Sequence, residues 1–459
     1  MQNPRSWFLK NVLCPLGDHL VGHHMIRRLK FLEQAQWWDT GRLEQERKQS
    51  LGKLIRIAYA EVPFYRSLMD EKGICPENVR CVEDLGKLPV IDKAMLRAGY
   101  PKMTTRTTGQ RTYEASTSGS TGVNFRVLED NETAAQYRAP FLMALEWSGW
   151  EFGKPHLQTG MTLNRSFERK LKDFFFRCHY TSAFDLTDSA LDRSLDTMER
   201  NKLEYVWGYP GSLYYLARRA AQRRWNRPLK SLVTWGDKLL PVYRTTIESA
   251  FKARVFDTYG CGEGIQIAAQ CGNGPFYHVH MLDTIVELLD DEGKAALPGQ
   301  PGRVVLTRLH PGPMPLIRYH VGDVAVGSKT SMCPCGRAFP LLEDIQGRIT
   351  DVVITPAGNR LIVHFFTGIL EHFPEIDTFQ VVQETRDGLL LRIVPEKTFS
   401  LESAGRIRAA LVEKGLLGMR IDVEVVAEIP LTPGGKRRFV INKLDALRPE
   451  ADANPLVIT

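Results

Sequence analysis

The residues most suited to chemistry form a run of small side chains, Ser116-Thr117-Ser118-Gly119-Ser120-Thr121-Gly122. The two glycines let backbone N–H groups turn toward an anion, and the hydroxyl groups add further donors. Such a run suits a loop that binds a polyphosphate, although a solvated linker has the same composition. It is not a Walker loop, because no Lys-Ser/Thr pair follows Gly122 and the nearest cation is Arg126. The other segments of the chain must decide between the two interpretations.

Two further segments place acids beside glycine turns. Residues 257–264 follow a predicted strand and hold Tyr259 near backbone that can approach a ligand, with the carboxylate of Glu263 four residues later. Residues 318–323 set Asp323 after a glycine, in the way that carboxylates hold sugar hydroxyls in nucleotide sites. Each segment alone is also consistent with an ordinary turn.

Two more segments supply cations. Gly347-Arg348 places a guanidinium at a presumed hinge between domains. Residues 431–438 form a glycine-rich turn that projects Lys436, and taken alone this turn is most simply a solvated loop.

Cysteine spacing gives a separate signal. Cys333 and Cys335 form a tight pair on a turn, and Cys271 and His278 lie after the Tyr259 segment. Three cysteines and one histidine fit a closed tetrahedral Zn²⁺ site, with His280 as the competing nitrogen ligand. Its role would be structural, because four protein ligands leave no position open for water. Two cysteines on a loop are also consistent with free thiols.

Composition is that of a globular protein with more than one domain, since the chain has 459 residues and is 43% hydrophobic and 25% charged. The net charge of +7 is spread along the chain, without the basic blocks interleaved with aromatic residues that bind nucleic acid. No apolar run is long enough to cross a bilayer, and no signal-like segment opens the chain. We therefore expect a cytoplasmic protein without disulfides, a nucleic-acid partner or an integral membrane segment.

The pattern of apolar residues predicts an α/β fold. Residues 1–80 are expected to form a helical N-terminal region. Between residues 205 and 287, short apolar stretches alternate with helical ones, which favours an α/β sheet. Residues 283–289 and 302–309 are predicted strands of a smaller β region.

The pattern restarts after residue 346. Strands are predicted at 378–383 and 389–394, with helices at 363–373 and 401–413. We therefore expect an N-terminal domain at 1–346 and a compact α+β domain at 347–459.

Taken in order, these segments resemble the adenylate-forming (AMP-binding) superfamily, most closely its phenylacetate–CoA ligase branch, including capsule-biosynthesis members similar to coenzyme F390 synthetases. The resemblance covers nearly the whole chain. It includes residues 58–66, Leu88-Pro89-Val90-Ile91-Asp92-Lys93, the hydroxyl-rich run, residues 207–212 and the glycine-lysine turn. It implies a large N-terminal domain with layered α/β sheets and a small mobile C-terminal lid that carries the catalytic lysine.

The resemblance also implies roles for single residues. The nucleotide-binding residues that it implies are Ser118, Gly119, Ser120, Thr121, Gly122, Gly236, Asp237, Tyr259, Gly260, Asp323 and Arg348. Of these, the hydroxyl-rich loop would hold the ATP phosphates, Tyr259 would stack on adenine, and Asp323 with Arg348 would bind ribose. Glu263 would coordinate Mg²⁺. Lys436 would reach the carboxylate and the α-phosphate during adenylation. Mg²⁺ and Lys436 would both neutralise negative charge that grows in the transition state.

The acyl pocket implied by the resemblance contains Tyr209, Trp235, Gly236 and Cys261, a set that suits an aryl or short planar acid. The sequence departs from the family at three points: Phe125-Arg126 stands where many members have lysine, Gly262 replaces a Ser or Thr, and Thr350 occupies a hinge position that is usually Asp or Lys.

The implied activity is ATP- and Mg²⁺-dependent adenylation of a carboxylic acid, with release of pyrophosphate and transfer of the acyl group to coenzyme A. One alternative is transfer to an amine or sugar acceptor in polysaccharide biosynthesis. Another is a nucleotide-binding protein without catalysis, which the presence of Glu263, Asp323 and Lys436 together disfavours.

Overall fold

The computed structural model consists of two compact units, Met1–Ile345 and Gln346–Thr459, which divide one residue before the boundary expected from the sequence. The residues that it describes are 3–22, 24–105, 112–118, 124–160, 165–183, 185–348, 353–356, 360–361, 363–370, 372–430 and 438–444. Within these ranges, no helix has the length and apolar character needed to cross a membrane.

The chain begins with helices. They are α1 (Pro4–Phe8), α2 (Cys14–Val21), α3 (Met25–Ala35), α4 (Thr40–Glu61), α5 (Pro63–Glu71) and α6 (Lys93–Gly99). A π-helical turn at Leu9–Leu13 joins α1 to α2, and 3₁₀ turns lie at Pro76–Asn78 and Glu83–Lys87. The Asp39 side chain caps the start of α4, and Pro63 opens α5, where its missing N–H leaves no bond unmade.

A hairpin and a long helix follow. Strands β1 (Tyr113–Ser118) and β2 (Asn124–Glu129) pair antiparallel, and α7 (Asn131–Trp147) begins at the cap Asp130. The hydroxyl-rich run thus continues from the end of β1, and its residues 119–122 lie outside the described part of the chain.

Next comes a region of alternating strands and helices. Its elements are β3 (His156–Gly160), α8 (Phe167–Phe176), β4 (Cys178–Ser182), α9 (Asp188–Arg200), β5 (Tyr205–Gly208), α10 (Pro210–Gln222), β6 (Ser231–Thr234), α11 (Pro241–Phe251) and β7 (Arg254–Cys261). The strands pair in parallel, as the alternating pattern predicted. His156 of β3 is buried and stacks on Trp207 of β5 with ring centroids 3.7 Å apart. Burial lowers the pKa of this histidine to about 4.

The remaining strands of the first unit are β8 (Ile265–Gln270), β9 (Tyr277–Val279), β10 (Thr284–Leu289), β11 (Pro301–Arg308), β12 (Tyr319–Gly327) and β13 (Leu341–Arg348). They join the parallel strands in one sheet, in the order β10-β11-β12-β13-β9-β8-β7-β6-β5-β3-β4. Strand β7 links the two halves, because it pairs parallel to β6 and antiparallel to β8. The strands predicted at residues 283–289 and 302–309 correspond to β10 and β11, which form one end of this sheet.

The second unit contains β14 (Val353–Ile354), β15 (Arg360–Leu361), α12 (Val363–Leu370), β16 (Ile376–Thr385), β17 (Gly388–Pro395), α13 (Leu401–Lys414), β18 (Arg420–Val425) and β19 (Val440–Asn442). Four strands form a sheet in the order β18-β17-β16-β19. The predicted α/β fold class, with a large sheet and a smaller C-terminal α/β region, is confirmed.

Candidate active site

A buried carboxylate, that of Glu263, lies between two polar groups. The turn between β7 and β8 carries it, and only 3% of the residue is exposed. The Tyr319 hydroxyl donates a hydrogen bond of 2.6 Å to its Oε1, and Lys93 Nζ lies 3.2 Å from the same oxygen. Burial alone would raise the pKa of Glu263, but the Lys93 charge and the Tyr319 hydrogen bond outweigh it and lower the pKa below its ordinary value. The carboxylate is therefore ionised at neutral pH.

The N-terminal segment brings Lys93 to this carboxylate. Ile91 forms a parallel bridge with Tyr319, in which its N–H donates to the Arg318 carbonyl and its carbonyl accepts from the His320 N–H. The Asp92 side chain then caps α6 by accepting a hydrogen bond from the Met95 N–H. Lys93 is thus the first residue of α6. The backbone hydrogen bonds of Ile91, the residue before the cap Asp92, hold this helix start beside β12.

A second pair of predicted site residues meets nearby. The Tyr259 hydroxyl donates a hydrogen bond of 2.8 Å to Asp323 Oδ2. Tyr259 is buried on β7, and Asp323 follows Gly322, whose φ of +91° suits glycine. The ring that would stack on adenine and the acid that would bind ribose are therefore joined across strands β7 and β12.

The aromatic group predicted to line the acyl pocket is also assembled. Tyr209 and Trp235 have ring centroids 6.4 Å apart, and Phe141 of α7 contacts Trp235 edge-on at 5.5 Å. Gly236 has a φ of +83°, and a Cβ there would stand 2.6 Å from the Tyr209 ring. Only glycine fits this position, since both the backbone conformation and the space exclude a side chain. Burial and the charge of Asp237 raise the pKa of Tyr209 to about 12, so its hydroxyl stays protonated.

Cys261 is the last residue of β7, two positions before Glu263. Burial, followed by the charge of Glu263, raises its pKa well above the ordinary thiol value, so it is an uncharged, weakly reactive group. Tyr137 of α7 is near enough to both Cys261 and Tyr209 for their charges to interact. These contacts connect the pocket aromatics with the Glu263 side of the site.

The four predicted zinc ligands also come together. The ligand atoms of Cys271, His278, Cys333 and Cys335 all lie within 4.8 Å of one another. Cys271 Sγ is 3.6 Å from Cys333 Sγ, and Cys335 Sγ is 3.5 Å from His278 Nε2. Tetrahedral zinc, with Zn–S about 2.3 Å and Zn–N about 2.1 Å, requires separations of about 3.8 Å and about 3.6 Å. The donor set therefore fits zinc in chemistry and in size, and all four sulfur and nitrogen donors come from β9 and two connections of the large sheet.

His280, the alternative nitrogen ligand, is not part of this group. It is buried two residues beyond His278, with its ring 5.7 Å from that of Trp147. Within the described residues, neither of its ring nitrogens has a hydrogen-bond partner.

Several predicted residues cannot be compared with the structure. Gly119, Ser120, Thr121, Gly122 and Lys436 lie outside the described residues, as do the side chains of Ser118 and Arg348. Gly260 lies in β7, where a Cβ would stand 3.0 Å from the Ile265 carbonyl oxygen, so the backbone is closely packed there.

The sequence analysis missed Lys93 and Tyr319 as site residues. Lys93 stands in a segment that was recognised only as part of the family resemblance, and Tyr319 stands in the Asp323 segment. A signal was available in the capping position of Asp92, which predicts that Lys93 begins a helix. Nothing local indicates that this helix start faces a carboxylate 170 positions later in the chain.

Comparisons with known proteins give the families and proteins that this chain is similar to. The model of the CapK C-terminal domain family matches residues 353–443. A phenylacetate-coenzyme A ligase of Thermus thermophilus is 24% identical over 446 residues, which cover 87% of this chain and 96% of that protein. Protein CapK of Staphylococcus aureus is 21% identical over 83% of this chain and 85% of its own length.

The fold has counterparts among solved structures. A crystal structure of 2-hydroxyisobutyryl-CoA ligase in the postadenylation state, in complex with R3-HIB-AMP, has a TM-score of 0.71 and 21% identity, and the match covers 90% of this chain and 92% of that one. The chain thus shares the fold of this CoA ligase. The expected resemblance to the phenylacetate–CoA ligase branch, with CapK among its relatives, is confirmed.

Proposed function

We propose that this protein is an ATP-dependent acid–CoA ligase, which adenylates a carboxylic acid, releases pyrophosphate and transfers the acyl group to coenzyme A. The observation that carries the proposal is the ionised, buried Glu263 held by Lys93 and Tyr319, with the Tyr259–Asp323 pair nearby. Adenylation needs such a charged site, because an anionic carboxylate attacks an anionic α-phosphorus and repulsion must be neutralised.

Glu263 and Mg²⁺ would act together. A buried carboxylate whose pKa is lowered is a hard oxygen ligand that remains charged, which is what Mg²⁺ prefers. When bound, Mg²⁺ supplies positive charge at the ATP phosphates. Lys93 and Tyr319 hold the Glu263 carboxylate in a fixed position.

The nucleotide would lie along the edge of β7 and β12. Tyr259 would stack on adenine, with its hydroxyl fixed by Asp323, whose remaining carboxylate oxygen would accept from ribose hydroxyls. Gly236 and Asp237 would lie along the base, and Gly260 would keep the backbone of β7 close to it. The run Ser118–Gly122 would wrap the outer phosphates, and Arg348 would assist at the ribose. The predicted C-terminal domain, residues 347–459, would act as a lid and bring Lys436 to the site.

The acid would bind among Tyr209, Trp235, Gly236 and Cys261. Aromatic rings and a closely packed glycine backbone form this group, a composition that suits an aryl or short planar acid. Coenzyme A is the acceptor that we propose, in keeping with the phenylacetate-coenzyme A ligase relative that spans most of this chain.

We also propose that Cys271, His278, Cys333 and Cys335 bind one structural Zn²⁺. Support comes from the separations of their ligand atoms and from His278, whose pKa burial lowers to about 4, so that its ring is neutral at pH 7. The connection between β12 and β13 would be tied to β9 by this metal, without any part in the chemical step.

The test is pyrophosphate release by the purified protein with ATP and Mg²⁺, across a panel of aryl, aliphatic and amino acids, each with and without coenzyme A. We expect release that depends on the acid, and an acyl-CoA product identified by mass. Lys436→Ala should abolish release while a supplied acyl adenylate is still converted to the thioester. Lys414→Ala, on the exposed side of α13, is the matched control and should behave as wild type.

Two results would contradict the proposal. One is a lack of acid-dependent pyrophosphate release across the panel. The other is full release by Lys436→Ala, which would remove the lysine from the reaction. Formation of an amide with an added amine, in place of a thioester, would keep adenylation and replace the acceptor.

A further inference from the structure

Helix α8 turns an apolar face toward solvent. Phe167 is 79% exposed, Leu171 47% and Phe174 75%. Their spacing of four and three residues places them on one side of the helix. Phe176 instead packs inward, with its ring 6.1 Å from that of Phe152. A surface helix of a globular protein normally shows the reverse orientation, with its aromatic residues inside.

The N-terminal helical segment carries a second exposed apolar stripe. Phe8, Val12, Leu16 and Leu20 recur every four residues between Pro4 and Val21, with exposed fractions of 50%, 40%, 55% and 76%. Trp7 is also half exposed. Because every fourth residue of a helix lies on nearly the same side, these side chains form a line along the segment.

The two stripes lie on neighbouring elements. The Arg5 guanidinium donates a hydrogen bond of 3.5 Å to the Phe175 carbonyl oxygen, which brings the start of α1 to the end of α8. Trp7 and Phe8 follow this contact in the chain, and Phe174 precedes it. The two stripes thus adjoin at the contact between Arg5 and Phe175, and we call them together the α1–α8 surface.

Cations border this surface. Lys170 is exposed on α8 directly beside the line of Phe167, Leu171 and Phe174, and Arg169 and Lys172 are exposed farther round the same helix. Asp173 of the same helix is bound to Arg165 by two hydrogen bonds of 2.6 Å, so its charge is already compensated. Exposed aromatic residues with Lys and Arg at their margin are the composition of helices that lie in the interface of a bilayer.

We propose that the α1–α8 surface docks this protein onto the surface of a lipid bilayer with anionic headgroups. The aromatic and aliphatic side chains would enter the boundary between headgroups and acyl chains, and the α8 cations would contact the negative headgroups. Each cation near such a surface strengthens binding about fivefold. The proposal goes beyond the ligase activity and does not depend on it.

A second copy of this chain is a poorer occupant of the surface. A twofold-symmetric interface brings the same patch from both subunits together, so the positive charges of Arg169, Lys170 and Lys172 from both copies would gather around one interface. Like charges placed together disfavour association, whereas anionic headgroups neutralise them. Charge complementarity therefore selects the bilayer.

The test is sedimentation of the purified full chain with vesicles. One vesicle preparation is an equimolar mixture of phosphatidylglycerol and phosphatidylcholine, and the other is phosphatidylcholine alone. We expect binding to the anionic vesicles that weakens with added salt and is much weaker on the neutral ones. Phe167→Ser with Phe174→Ser, and separately Lys170→Glu with Lys172→Glu, should each lower the partition coefficient on the order of tenfold or more.

Matched controls separate this effect from general changes of surface. Leu297→Ser with Lys294→Glu removes an equally exposed apolar side chain and a cation from the turn between β10 and β11, and should leave binding unchanged. Thermal unfolding of each variant checks that it is folded. Leu16→Ser with Leu20→Ser provides an independent test from α2 if an α8 variant fails to fold.

Three outcomes would overturn the proposal. The first is no binding of the wild-type chain to anionic vesicles at low salt. The second is equal binding by wild type and by the folded phenylalanine and lysine variants. The third is a dimer in light scattering that the Phe167→Ser and Phe174→Ser substitutions dissociate, without vesicle binding, because a second copy would then cover the surface.

Discussion

Replacing Lys93 with methionine removes the cation beside Glu263 and keeps the length of the side chain. Two charges 3.2 Å apart attract by about 5 kcal/mol at an effective dielectric constant of about 20. Burial of the carboxylate, whose side chain is 4% exposed, offsets part of this attraction. The Lys93 side chain is 24% exposed, so water can partly replace it. We therefore expect Lys93→Met to lower the free energy of unfolding by about 2–3 kcal/mol, below the range of about 3–5 kcal/mol for breaking a fully buried pair.

A double-mutant cycle measures the coupling directly. Lys93→Met, Glu263→Gln and the double variant are unfolded in urea at pH 7, with a chelator present so that no metal contributes. If the two charges interact as the structure indicates, the double variant is less destabilised than the sum of the single ones by at least about 1 kcal/mol. Lys87→Met is the matched control. It removes a half-exposed lysine that pairs with Asp84, and should cost below about 1 kcal/mol.

Additive effects of the two substitutions would refute this reasoning. Additivity would mean that Lys93 and Glu263 do not sense each other in solution, whatever their separation in the structure. The lowered pKa of Glu263 would then lose the larger of its two side-chain causes, and the Tyr319 hydrogen bond would remain.

Three further predictions follow from single positions. Gly236→Ala should raise the KM for the acid several-fold and destabilise the protein by about 1–3 kcal/mol, because the added Cβ strains the backbone and collides with a tyrosine ring. Steady-state kinetics and urea unfolding measure these effects, and Gly211→Ala, whose Cβ would meet open space, is the control. Purified protein should contain about one zinc per chain by elemental analysis, and Cys335→Ser should lower both zinc content and Tm while Cys75→Ser changes neither. His156 has a pKa of about 4 in the folded protein and about 6.5 in the unfolded chain, so the unfolded state binds the proton at higher pH. The free energy of unfolding should therefore fall by up to about 3 kcal/mol as the pH drops from 6.5 to 4. In His156→Phe, urea unfolding over the same pH range should show a smaller fall.

Local patterns in the sequence predicted many elements of the fold. The apolar spacing of Leu51, Leu54, Ile55 and Ala58 corresponds to the buried face of α4, and the alternation after residue 205 corresponds to the parallel strands. Periodicity reports on one element at a time, however. It carries no information on which strands pair, so it predicted β10 and β11 as strands but not their place at one end of the large sheet.

The candidate site was predictable where its residues are close in sequence or belong to a recognised motif. The spacing of Cys333 and Cys335 alone was also consistent with free thiols, but together with Cys271 and His278 it predicted a four-ligand group, and the structure brings these four ligand atoms together. Lys93 was not predictable in the same way. Its contact with Glu263 depends on a backbone bridge between distant segments, and no residue near Lys93 in the sequence encodes that bridge.

The bridge between Ile91 and Tyr319 has a consequence for how the protein is made. Lys93 leaves the ribosome early, whereas Glu263 and the strand that anchors Ile91 emerge only after about 170 and 230 more residues. A nascent chain therefore exposes the apolar faces of α4 and α5 throughout this interval, without the strands that will cover them. Helices α4 and α5 complete their packing only after β12 has been synthesised. The carboxylate site can therefore form only when translation of the first unit is almost complete.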